Sequence, residues 1–328
     1  MNDSRPLIAI GRSRLLLDTI QFLSGHGYTF KAIITDQAYP EYDVGIDHFR
    51  QLAQELAAEF FVSHSLNGEG SVPLAKLVER HGVEAAISVN WRFVIRPAVL
   101  DLFPLGILNL HLGRLPDYKG NATLNWAILR GEHEIFADVH KMAPELDAGD
   151  VIARERLAIT DQTYVGELLE QAESLAPQLF KTALDRTFSD PWRIEVAGSP
   201  DGLRCFPRLP ADGEIDWRQS AAAICRLVRA SSRPYPGAFS FLAGRKVIVW
   251  RAELAAEMDP FLATPGHVTG WQRQPFSVRV ACGDGAVDLT EMQYETGNEP
   301  LKFGSIRLRF TSTSSSPRDD ILIDQDKH

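Results

Sequence analysis

The stretch L-I-A-I-G-R-S-R-L-L-L-D-T-I-Q-F-L-S-G-H-G-Y-T-F-K-A-I-I-T, residues 7–35, decides the architecture. Leu7 to Ile10 is a short apolar strand ending at Gly11-Arg12-Ser13. Leu16, Ile20 and Leu23 then recur at helical spacing until Gly25 and Gly27 stop the pattern, and Phe30 to Thr35 is a second strand. Strand, helix, strand is the signature of a parallel unit whose ligands collect at the carboxyl ends of strands. Gly11-Arg12-Ser13 lacks the G-x-G-x-x-G arrangement that lets backbone amides approach a pyrophosphate, so no nicotinamide site is read here.

The alternation continues outward. Asp36 to Gly45 reads as a surface loop whose charges are acidic. Phe49, Leu52, Ala53 and Leu56 form a helical stripe, Phe60 to Val62 a strand, Val72 to Glu79 a helix and Ala85 to Val89 a strand, with a further helix starting at Arg96-Pro97. Asn90, Trp91 and Arg92 close that last strand. Trp91 is read as a core or lid aromatic, with heterocycle binding as the alternative, and Arg92 as a group able to meet an anionic tail.

Ile107 to Gly120, I-L-N-L-H-L-G-R-L-P-D-Y-K-G, delivers Asn109 and His111 at alternate strand positions, and therefore on one face, just ahead of a tight loop. Leu124, Ala127 and Ile128 begin the next helix. Strands at Phe136 to Met142 and Val151 to Ile159 flank the turn P-E-L-D-A-G-D, which carries Asp147 and Asp150. No third or fourth ligand accompanies these acids, so no metal site is expected. Thr163 to Thr187 is helical, with Pro177 expected to kink or divide it.

These elements predict an α/β fold: a Rossmann-like, doubly wound, mostly parallel sheet with a small, mostly β C-terminal domain. The expected division is a first domain over 1–190, a linker over 191–210, an accessory domain over 211–311 and a disordered tail over 312–328. The tail is serine-rich and then acidic.

Composition narrows the class. The 328 residues are 45% hydrophobic and 23% charged, which is ordinary for a globular chain. A formal net charge of -9 gives no electrostatic reason for strong nucleic-acid or membrane binding. Three widely spaced cysteines, Cys205, Cys225 and Cys282, suggest a reducing compartment and no disulfide framework. With no signal-like start and no bilayer-spanning apolar run, a cytoplasmic protein is expected.

Taken together, the order of elements and the central motif resemble the folate-dependent formyltransferase family. The family pattern pairs an N-x-H strand with a later D-x-G turn, matched here by Asn109 and His111 and by Asp147 with Gly149; L-P-D-Y-K-G is similar to its L-P-x-Y-x-G loop. Residues 1 to about 190 resemble its catalytic domain, and I-D-W at 215–217 with R-P-Y-P-G at 233–237 the start of its accessory domain. The chain departs at H-L-G-R-L-P, where many relatives have H-G-S-L-L-P: Gly113 supplies no hydroxyl, and Arg114 adds a charge.

The resemblance implies a formyl donor, 10-formyltetrahydrofolate, with its pterin bound around Asn90, Trp91, Arg92, Phe93 and Val94. It also implies catalysis by Asn109 as oxyanion donor, His111 as proton carrier and Asp147 as its orienting acid. The acidic 36–45 loop and the absence of a basic run point away from tRNA, and L-N-W-A-I-L at 124–129 resembles the corresponding helix of aminoarabinose-modifying formyltransferases, which implies a nucleotide-linked amino sugar as acceptor, in glycan biosynthesis. Charged initiator tRNA, as used by methionyl-tRNA formyltransferase, and a small amine such as N-hydroxyornithine stand as alternatives. The accessory domain is left with three roles: acceptor binding, regulation, or a homodimer contact.

Overall fold

The computed structural model describes residues 4–37, 43–68, 72–256, 261–297, 299–305 and 307–312. The expected tail lies outside them from residue 313 onward, as does the 38–42 part of the acidic loop. In chain order the elements are β1 (Arg5–Gly11), α1 (Arg14–Ser24), β2 (Tyr28–Thr35), α2 (Ile46–Glu55), β3 (Glu59–Val62), α3 (Leu74–His81), β4 (Ala85–Val89), α4 (Pro97–Leu100) and β5 (Gly106–Gly113). There follow β6 (Lys119–Gly120), α5 (Thr123–Arg130), β7 (Glu134–Lys141), β8 (Val151–Ala158), α6 (Val165–Ser189) and β9 (Arg204–Cys205). The remainder is α7 (Ala221–Ser231), β10 (Ala238–Leu242), β11 (Arg245–Leu254), β12 (Val268–Arg273), β13 (Phe276–Cys282), β14 (Gly285–Tyr294) and β15 (Phe310–Thr311).

Seven strands form the first sheet in the order β3-β2-β1-β4-β5-β7-β8. The pairs from β3 to β5 are parallel, and β7 and β8 add on antiparallel. Side chains alternate across it. Leu7, Ala9, Ile33, Ile87, Leu108 and Leu110 face one way, onto Leu16, Ile20 and Leu23 of α1, Phe49 of α2, and Leu179 and Phe180 of α6. Ile8, Ile10, Ile34, Ala86 and Ile107 face the other way, onto Leu74 and Leu77 of α3 and Val99 of α4. Each such side chain taken from water contributes about 1.5–3 kcal/mol, so both faces hold the sheet. By the same alternation Asn109, His111 and Gly113 share a face with Ile107.

Contact grouping gives two units: Met1–Thr123 with Glu134–Ala158 and Leu169–Phe206, and Leu124–His133 with Ile159–Leu168 and Pro207–His328. The stretch read as a linker is therefore packed on the first unit through Phe206. Pro177 does not divide α6, which runs unbroken from Val165 to Ser189. A mid-helix proline costs about 3 kcal/mol, but Ala176, Leu179, Phe180, Ala183 and Leu184 beside it are fully or nearly buried and outweigh that loss.

In the second unit a six-stranded antiparallel sheet, β12-β13-β14-β11-β10-β15, packs against α7 through Ile224, Val228, Val247, Val249, Val280 and Leu289. Ser220 caps α7, its hydroxyl accepting from the Ala223 amide at 3.2 Å. Among the described residues no helix is long and apolar enough to cross a membrane.

Candidate active site

Strand β7 lies antiparallel beside β5 with His140 opposite Asn109 and Asp138 opposite His111. This register builds the site. Asn109 Nδ2 donates to His140 Nε2 at 3.1 Å, so that nitrogen is an acceptor and carries no proton. His111 Nε2 lies 2.6 Å from the Tyr118 carbonyl oxygen. Asp147 stands between the two rings: its Oδ2 is 3.6 Å from His111 Nδ1 and its Oδ1 is 3.9 Å from His140 Nε2. The rings meet edge to face, with centroids 6.3 Å apart.

The loop after β5 fixes this arrangement from its other side. The Gly120 amide donates to Asp147 Oδ2 at 2.8 Å, so one short segment supplies both the Tyr118 carbonyl for His111 and an amide for the acid. Asp147 itself adopts a left-handed backbone (φ 48°). Gly149, two residues on, must lack a side chain: a Cβ there would fall on the Lys141 carbonyl. Asp150 has a different job, accepting from the Gly198 amide at 2.7 Å.

That loop is in turn held by 196–205. Lys119 donates its amide to the Leu203 carbonyl at 2.9 Å, Asn121 does the same to Cys205 at 3.2 Å, and the Leu203 amide donates to Asp117 Oδ1 at 2.8 Å. Lys119 is buried and its ammonium donates to the Ser199 carbonyl. Beneath the loop, the fully buried Asp138 accepts from Arg154 Nε at 2.6 Å, from Arg154 Nη2 at 2.7 Å and from the Leu115 amide at 2.9 Å. Arg154 also donates to the Leu115 carbonyl at 2.7 Å.

His140 was not singled out in the sequence. Its signal is the register, since on an antiparallel β7 it falls opposite Asn109. Burial lowers its pKa from the ordinary 6.5 to about 4, assisted by the neighbouring His111 and opposed by Asp147. Between these two values the unfolded chain binds the proton and the folded chain does not, so stability is full above pH 6.5 and is lost as pH falls through about 4. The slope reaches about 1.4 kcal/mol per pH unit. His140→Gln is expected to flatten the acid limb of a urea-midpoint-against-pH curve, and an unchanged limb would exclude His140 as its source.

The five residues expected around the pterin are placed as follows. Asn90, left-handed at φ 54°, donates to Ser13 Oγ at 3.0 Å, and its carbonyl accepts from Arg12 Nε at 3.0 Å. Arg92 is committed to an internal ion pair with Asp36 (3.0 Å) and stacks on Phe93 at 4.7 Å. Asp36 is 2% exposed, so the start of the acidic loop is no surface residue; a buried carboxylate requires such a partner, and His64 Nδ1 adds a second at 2.5 Å. Val94 is exposed. Trp91 joins the apolar cluster of Ile107 and Met142, with its indole Nε1 buried and lacking a hydrogen-bond partner.

A cavity of about 320 Å³ opens on that same side of the sheet, lined by Leu100, Phe103, Ile107, Met142 and Pro144 with Asp101 and Lys141. None of Asn90 to Val94 lines it. Its volume lies near the lower end of the range of about 300–1,000 Å³ found for small-molecule sites, and polar and apolar surface line it in near-equal measure. No group of three or more metal-ligating side chains occurs among the described residues.

Three solved structures share this fold. HypX from Aquifex aeolicus, in complex with tetrahydrofolic acid, is 19% identical with a TM-score of 0.60, covering 90% of this chain and 45% of its own. This chain thus spans less than half of HypX. The N-formyltransferase from Helicobacter canadensis, in complex with folinic acid and dTDP-3-aminofucose, is 15% identical with a TM-score of 0.63, covering 88% and 99%. A 4-N formyltransferase from Francisella tularensis is 14% identical with a TM-score of 0.53, covering 72% and 92%. Family models described as "Formyl transferase" and "Formyl transferase, C-terminal domain" match residues 20–184 and 209–301. With half of its length matched by the first of these and the accessory domain by the second, the chain belongs to the formyl transferase family.

Proposed function

We propose that this protein transfers the formyl group of 10-formyltetrahydrofolate to the amino group of a nucleotide-linked amino sugar. The observation that carries the reading is the joint placement of Asn109, His111 and Asp147, with His140 behind them, on the sheet face that also bears the 320 Å³ cavity.

The residues present fit a folate. The cavity between α4 and the β7 end offers both apolar and polar walls to a heterocycle, and the unpaired indole N–H of Trp91 borders the neighbouring apolar cluster. Leu100, Ile107, Met142 and Pro144 would enclose the ring. When bound, the donor supplies a formyl carbon open to attack by an amine.

The chain's own groups then act as follows. Asn109 Nδ2 has two hydrogens, and His140 takes one; the other is available to a carbonyl oxygen on which negative charge develops. His111 holds or releases the transferred proton, and a proton arriving at Nδ1 sits against the Asp147 carboxylate. The Gly120 amide keeps that carboxylate aimed. His140, kept neutral by burial, acts as an acceptor and fixes the orientation of the Asn109 amide.

Support for an amino-sugar acceptor comes from the Helicobacter protein, whose structure contains dTDP-3-aminofucose, and from this chain's net charge of -9, which opposes a tRNA. A mass-spectrometric screen with 10-formyltetrahydrofolate tests the reading, offering nucleotide-linked amino sugars, N-hydroxyornithine and charged initiator tRNA. A formylated nucleotide sugar is the expected product, abolished by Asp147→Asn and retained by Asp150→Asn, whose amide oxygen still accepts from Gly198. Product on tRNA alone would reverse the acceptor choice.

A further inference from the structure

We propose that Gly113 is a positioning residue for His111. Its missing side chain lets the imidazole lie back along β5 with its Nε2–H on the Tyr118 carbonyl, leaving Nδ1 as the nitrogen that exchanges a proton. The seating of the ring stands on geometry alone; the proton exchange rests on the formyl-transfer reading above.

Position 113 follows His111 by two along β5, so both lie on the same face. A Cβ built at Gly113 would stand 2.5 Å from His111 Cδ2 and 2.6 Å from the Tyr118 carbonyl oxygen, and closer still to His111 Nε2. All three atoms belong to one contact, the 2.6 Å approach of Nε2 to that carbonyl. A methyl group at 113 would therefore enter the hydrogen bond itself. Neither wall yields cheaply: His111 is 7% exposed, and the Tyr118 side chain is fully buried. The carbonyl is held further by the pairing of the next residue, Lys119, with Leu203.

The seat dictates the tautomer. A carbonyl oxygen only accepts, so Nε2 must hold its proton for as long as the contact lasts. Nδ1 is then the ring atom left to gain or lose one, and it is the atom that faces Asp147. Titratable groups near the ring are Asp147, the neutral His140 and, opposite His111 on β7, Asp138.

The test uses the full-length protein with 15N-labelled histidine rings and long-range proton–nitrogen correlation spectra, the His111 signals being assigned with His111→Gln. The wild type is expected to show a proton held on His111 Nε2. Gly113→Ala is expected to lose that signature, while Gly270→Ala, whose added Cβ meets nothing nearer than 3.9 Å, keeps it. An Nδ1–H tautomer in the wild type, or an unchanged His111 pattern in Gly113→Ala, overturns the proposal. The wild-type spectrum decides even where the alanine variant does not fold. With 10-formyltetrahydrofolate and a competent amine, Gly113→Ala is expected to lower kcat by about 10²-fold with the donor KM nearly constant; a rise in KM at constant kcat overturns the role assigned to Nδ1. Where no amine is formylated by the wild type, the formyl-transfer reading fails and the ring spectra still judge the seat.

Discussion

Asn109→Ala is expected to lower kcat about 10²- to 10³-fold, equivalent to about 3–4 kcal/mol, with little change in donor KM. The size follows from when the contact is made. Water solvates a resting carbonyl adequately, whereas an oxyanion forming in an enclosed site depends on a donor already in place. His140 prepares that donor: held neutral, its Nε2 accepts one amide hydrogen at 3.1 Å and so fixes which way the second one points. Alanine removes the donor and strands the His140 acceptor. Steady-state kinetics on the purified variant decide the matter, and retention of wild-type kcat would remove Asn109 from the chemistry.

Asp138→Ala is expected to lower global stability by about 3–5 kcal/mol, the range for removing one partner of a buried ion pair. Asp138 is fully buried and receives three hydrogen bonds, two from Arg154 and one from the Leu115 amide. Its loss leaves a guanidinium at the edge of the core and an amide without an acceptor. Urea unfolding monitored by circular dichroism measures the effect. A loss below about 1 kcal/mol would mean that Arg154 escapes to solvent and that the pair is a surface one in energetic terms.

Much of this was legible in the sequence because strands and helices announce themselves by period. The 7–35 stretch, Ala85 to Val89 and the 107–113 run gave the sheet, since apolar residues at period two and helical stripes each have one stable packing. Asn109, His111 and Asp147 emerged from motif and spacing, and the structure brings them together. Less legible were interactions that depend on pairing between strands. His140 and Asp138 become site and support only through the β5–β7 register, which no local pattern records. Arg92 looked free to meet a ligand, because nothing near it in sequence marks Asp36, more than fifty residues earlier, as buried. Of the two outcomes expected at Pro177, division of the helix does not occur: the local cost is real, and tertiary burial of the surrounding helix face exceeds it.

The pairing of β6 with β9 bears on how the protein is made. The loop that presents the Tyr118 carbonyl and the Gly120 amide finds its backbone partners at Leu203 and Cys205, more than eighty residues later. During vectorial synthesis the strands carrying Asn109, His111 and His140, and the turn carrying Asp147, all leave the ribosome before the segment that clamps this loop. The backbone partners of the loop are thus the last part of the site to be made, on a short return of the chain whose Cys205 is itself buried.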